Sequence, residues 1–148
     1  MSARAKSVSS VSARPELGPQ PAIAVPRVAE RTLANGLRVA AVRRSGVPMV
    51  EIRLRIPFAG TTRAHLARTT VLTETMLSGT AEHDAESLAA AIQALGGSIG
   101  VGADADRLVL SGSALAENLA PLLGLLGEII DSAGYPADEV DGERERLV

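Results

Sequence analysis

From Met49 to Ile56 apolar and polar residues alternate without a break. Val50, Ile52, Leu54 and Ile56 fall on one side and Glu51, Arg53 and Arg55 on the other. A period of two predicts a strand with one dry and one wet face. Upstream, Arg31 to Arg43 reads as a hairpin, with Leu37, Val39 and Ala41 alternating with Arg38, Ala40 and Val42 beyond the turn pair Asn35-Gly36. A two-residue turn of this type places both central residues at positive φ. Two shorter runs, Ser98 to Gly102 and Arg107 to Gly112, read as further strands joined through Asp104 and Asp106.

Elsewhere the apolar spacing lengthens to that of a helix. Leu66, Val71, Leu72, Met76 and Leu77 form a stripe that predicts a helix from about Thr62 to Leu77, stopped at Gly79. The β-branched run Thr69, Thr70, Val71 weakens its intrinsic propensity, so packing is expected to hold it. Leu88, Ile92 and Leu95 predict a second helix, Asp84 to Leu95, with Asp84 as N-cap and Gly96-Gly97 as its stop. A third, nearly all apolar and so expected to be well buried, runs from about Ala114 to Asp131 and is broken by Gly134. Pro136 suits the first turn of a last helix that is still running at Val148, which suggests a piece of a longer protein. The order β-β-β-α-α-β-β-α-α argues for an α+β fold, an antiparallel-rich sheet with helices on one face, incomplete at the C-terminus.

Composition narrows the chemistry. The chain has 148 residues, enough for one domain with a real core, but only one Phe and one Tyr and no Trp. The core must be aliphatic, and a base-stacking platform is not expected. With no cysteine, disulfides, thiolate zinc sites and cysteine nucleophiles are excluded, and the two histidines, His65 and His83, are far apart. A formal charge of −2 gives no reason to expect nucleic acid. No apolar run approaches the ~20 residues of a bilayer span. Residues 1–27 hold four of the eight prolines and little apolar periodicity, and read as a disordered tail ahead of a domain at 28–148. The first fourteen, rich in Ser, Ala and Arg, also faintly resemble a transit peptide. The tail is the preferred reading, and a cytoplasmic protein is expected.

Four short motifs occur in a telling order: Leu33 to Val39 around Asn35-Gly36, Met76-Leu77-Ser78-Gly79-Thr80, Leu95-Gly96-Gly97-Ser98, and Tyr135-Pro136 through Val140. Together they resemble the pitrilysin/insulinase family of zinc metallopeptidases, which includes mitochondrial processing peptidase. The resemblance implies a metallohydrolase fold of the processing-peptidase type. Active members carry H-x-x-E-H on the helix before the Gly-Thr step, with the two histidines on zinc and the glutamate as general base. Aligned on Met76 and Gly79-Thr80, that motif falls on Val71-Leu72-Thr73-Glu74-Thr75. Glu74 holds the position of the base and is read as vestigial, an ordinary polar helix residue. Val71 has no lone pair and a threonine hydroxyl is a poor zinc ligand. A second register, starting at His65, lacks both the glutamate and the second histidine. Glu143 stands at the earlier glutamate of the last helix, and the third ligand falls past Val148.

The expectation is therefore no metal and no cofactor in this chain, with zinc in an active partner. The family includes pairs of active and inactive subunits, which implies a non-catalytic subunit that shapes the chamber and helps to bind peptide beside an H-x-x-E-H homologue. No nucleic acid and no membrane partner is expected. Two alternatives stand: an active zinc peptidase with divergent ligands, or a structural member like the core subunits of respiratory complexes. Ser98, Ile99, Gly100, Val101 and Gly102 correspond to the family strand that pairs with extended substrate, although their glycines fit a bulge or tight packing equally well. His83 is expected to be solvated, Arg53 and Arg55 to be the wet face of a strand, and the acids from Asp138 to Glu145 to be a charged helix face partly paired with Arg144 and Arg146.

Overall fold

The computed structural model describes Gly18 and residues 25–147. The disordered tail and the transit-peptide resemblance concern residues that lie almost wholly outside that range. The chain divides into two units, Met1–Arg44 and Ser45–Val148.

In the first unit β1 (Val28–Thr32) and β2 (Arg38–Val42) pair antiparallel, from Val28 opposite Val42 to Thr32 opposite Arg38. The hairpin is as expected, but its turn is not. Of the two central residues only Gly36 has a positive φ, at 85°. The Gly36 N–H donates to the Leu33 carbonyl at 2.9 Å, and the Asn35 side chain accepts from the Leu37 N–H at 3.1 Å. This is a longer loop with a single left-handed glycine, in which Asn35 acts through its side chain instead of its backbone.

The second unit contains a three-stranded antiparallel sheet ordered β3 (Met49–Pro57), β5 (Arg107–Leu115), β4 (Ser98–Ala103). In β3 the even positions from Val50 to Ile56 are half-buried and the odd ones exposed, as the alternation requires. On the dry face Leu54 lies opposite Leu110, and Leu110 opposite Val101. On the wet face Glu51 and Arg53 form a 2.8 Å ion pair. Strand β5 runs three residues past Gly112, where the sequence reading had already begun a helix. Nine-residue β3 draws it on, because Val50 and Met49 offer ladder partners to Ala114 and Leu115.

There are four helices, α1 (Arg63–Thr75), α2 (Ala85–Ala94), α3 (Leu119–Ser132) and α4 (Ala137–Arg146), of which the first three pack on the sheet and α4 packs against α1. A short 3-10 helix, Ala116–Asn118, leads into α3. The core joins Met76, Leu88, Leu95, Leu108, Leu110 and Ala114 to Leu122, Leu126 and Ile129. Helix α3 is buried along one stripe only. Leu119, Leu123 and Ile130 stay at least 38% exposed, so its apolar composition overstated its burial. Leu66, expected in the α1 stripe, is also exposed.

Local chemistry accounts for the helix ends. Thr62 caps α1 by accepting from the His65 N–H, and Asp84 caps α2 by accepting from the Ser87 N–H at 2.8 Å. The β-branched residues of α1 are held by more than packing. Thr69, Thr70 and Thr75 donate to carbonyls four residues back, and Thr73 to one three back. Gly96 stops α2 at φ 64°. Helix α4 ends at Arg146, with Leu147 as its C-cap, short of the run to Val148 expected from the sequence.

Candidate functional site

Helices α1 and α4 flank a cleft of about 1010 Å³. From α1 it is lined by Arg68, Val71, Leu72 and Thr75, and from α4 by Val140, Asp141, Arg144 and Glu145. Tyr135, in the connection before α4, forms part of the wall. It is the one described residue other than glycine at positive φ, 45°, a sparsely populated conformation for a bulky residue. Partial burial raises its phenol above the ordinary range.

The two positions at which active homologues are expected to carry histidine, Val71 and Thr75, both line this cleft, and Glu74 does not. Val71 and Thr75 are four apart and share a helix face, whereas Glu74 is turned to the exposed side. Thr75 is 1% exposed, and its hydroxyl donates to the Val71 carbonyl at 2.7 Å. The hydroxyl is thus engaged within the helix, and the valine has no donor atom. These residues do not fit zinc. Among the described residues no group of three or more His, Asp and Glu side chains converges on a point where a metal ion could sit. Across the cleft Arg144 pairs with Asp141 at 2.9 Å, and Arg146 pairs with Glu143. The charged face of α4 is partly self-paired, as its sequence suggested.

His65, the start of the alternative register, lies elsewhere. Its ring is tilted against Phe58 with centroids 4.9 Å apart, over Gly60. Residues Ser98 to Gly102 lie in β4, at one edge of the three-stranded sheet and packed against α1. Their pairing with β5 is continuous from Ser98 opposite Ser113 to Ala103 opposite Leu108, so the glycines do not mark a bulge. A Cβ at Gly102 would meet nothing within 4 Å, so tight packing does not explain that glycine either.

His83 departs from expectation. It is not simply solvated: Nδ1 lies 2.8 Å from Glu128 Oε1, and the side chain is 30% exposed. The Glu128 carboxylate holds the imidazole above its ordinary range, helped by Glu82 and Asp84 and opposed by desolvation. Glu128 in turn is held below the usual carboxylate range, by the Thr80 hydroxyl first and His83 second. The sequence reading missed Glu128. The available signal was an acid flanked by the apolar run of α3, which needs donors when it is partly buried.

No family model matches the chain, and no curated protein does. Solved structures do. The chain is similar to a peptidase M16 inactive domain from Pseudomonas fluorescens, at 29% identity and a TM-score of 0.68, over 82% of this chain and 30% of that one. It is also similar in fold to a protease from Helicobacter pylori, at 20% identity and a TM-score of 0.70, over 83% of this chain and 30% of that one. The chain thus spans less than a third of the length of either. No helix among the described residues is long and apolar enough to cross a membrane. The family resemblance read from four short motifs is borne out in three dimensions: the chain has the fold of these structures and is similar to a peptidase M16 domain of the inactive type.

Proposed function

We propose that this chain is the N-terminal part of a non-catalytic subunit of an M16-type peptidase pair. Its part is to shape the substrate chamber and help hold peptide, while a homologous subunit bearing H-x-x-E-H supplies zinc and activates the water. The observation that carries this reading is the make-up of the α1 face. Where a metal site would need two imidazoles, Val71 and a Thr75 hydroxyl bonded to its own helix line the cleft. A peptide-binding role is supported by β4. It is an edge strand with a continuous register and small residues, so an extended peptide can add to the sheet through main-chain hydrogen bonds.

The pair is tested by co-purification and reconstitution. The full-length protein should capture an H-x-x-E-H homologue encoded in the same genome and raise that homologue's cleavage of an unstructured peptide. Failure to capture it, together with unchanged cleavage when the protein is added, would sink the paired-subunit reading.

A further inference from the structure

Glu128 is the only acid between Leu119 and Ile130 in α3, and it gathers two donors from a loop 45 or more residues upstream. His83 Nδ1 lies 2.8 Å from Oε1, and the Thr80 hydroxyl donates to the same oxygen. The Thr80 oxygen also accepts from the backbone N–H groups of Glu82 and His83, at 3.2 and 2.9 Å. The loop is thereby closed on itself as well as onto α3. Its backbone is stitched to the connection that follows α3: the Ala81 N–H donates to Ser132 O and the Gly134 N–H to Gly79 O, both at 2.9 Å. The next residue is Tyr135, the cleft-wall residue at φ 45°. Loop 79–84 and the Tyr135 turn are therefore one connected piece, and Glu128 ties that piece to the body of α3.

We propose that Thr80, His83 and Glu128 form a pH-sensitive clasp that fixes the α1–α2 loop against α3 and thereby sets the position of Tyr135 in the cleft wall. The charged groups that face His83 are Glu128 from α3 and, from its own segment, Glu82 and Asp84. All three are carboxylates and favour the imidazolium, whose bond to Glu128 is charge-assisted. The imidazole of His83 is raised above 6.5, so its contribution is complete below pH 6.5 and is lost as pH rises through the higher folded-state value. Glu128 is lowered below 4.5, so its contribution is present above pH 4.5 and is lost as pH falls through the lower folded-state value. The clasp is tightest between these limits. Above them, neutral His83 can keep the Nδ1–H bond but not its charge, and the loop loosens.

Tyr135 is the only tyrosine among these 148 residues, which hold no tryptophan, so in a protein of this sequence intrinsic emission reports this turn directly. In the 148-residue chain, acrylamide quenching of Tyr135 should rise through one transition above pH 6.5. Hydrogen-exchange protection at Ala81 and Gly134, corrected for intrinsic rates, should fall roughly tenfold across it. Protection at Leu88, in the core of α2, should not change. Glu128→Gln should return the His83 titration toward 6.5 and abolish the transition. His83→Gln, at a part-exposed site where folding is safe, should abolish it as well. The proposal is overturned if quenching and protection are flat from pH 6 to 9 in the wild type. It is equally overturned if the transition persists in His83→Gln, or if the variants lower protection by the same factor at every pH.

Discussion

Gly97→Ala is expected to destabilise the Ser45–Val148 unit by about 3 kcal/mol or more, or to prevent its folding. A Cβ at this position would lie 1.7 Å from the Ser113 carbonyl oxygen, 2.5 Å from its carbon and 2.7 Å from the Ala114 Cα. All three are backbone atoms of β5, the central strand, so no rotamer change can relieve the clash. Relief requires β4 to withdraw from β5, which breaks the pairing that begins at Ser98 and Ser113. Urea denaturation should show the midpoint collapse. Gly102→Ala, within β4, is the control for Gly97 in the bend just before that strand: with nothing within 4 Å of its Cβ, it should change stability by no more than about 0.5 kcal/mol. Equal losses in the two variants would mean that the strand, and not the contact at Gly97, is the sensitive feature.

Leu110→Ala is expected to cost about 2–5 kcal/mol. Leu110 is 0% exposed and sits mid-strand in β5, with Leu54 and Val101 as its lateral neighbours on the dry face. Helices and sheet meet over it in one aliphatic core. The fully buried cluster holds no aromatic ring, Phe58 packing only at its partly buried margin, and the cavity term adds to the lost transfer energy. Leu123→Ala makes the contrast. Leu123 is 52% exposed on the outer face of α3, and its truncation should shift stability by about 0.5 kcal/mol or less. A Leu110→Ala loss as small as that of Leu123→Ala would show that the core is not organised around β5.

The features that were legible in the sequence are those set by near neighbours. The alternation of β3, the Asp84 cap, the Gly96 stop and the proline before α4 each depend on a few adjacent residues. Features set by distant partners were not legible. Ala114 and Leu115 suit a helix as well as a strand, and only the length of β3 makes them strand. Which side of α3 is dry depends on where β5 lies beneath it. Glu128, His83 and Thr80 come together over 45 to 48 residues of chain, and no spacing rule connects them. Asn35-Gly36 failed differently: its turn signal was real, but the loop was longer and one positive φ sufficed.

The cleft shows the same division. That Val71 and Thr75 share a face follows from helical spacing alone. That Tyr135 and α4 complete the wall, and that the Thr75 hydroxyl is already engaged by Val71 O, required the fold. The second fact bears more on function, since it shows the Thr75 hydroxyl engaged in helix bonding.

The central claim is that this α1 face holds no zinc, and metal content tests it most directly. The full-length protein, loaded with excess zinc and dialysed extensively, should retain no more zinc than the dialysis buffer carries. Val71→His combined with Thr75→His should retain it, since histidines four apart on one helix face make a two-ligand zinc site. One tightly held equivalent in the wild-type protein, released when Thr75 is replaced by Val, would contradict the account.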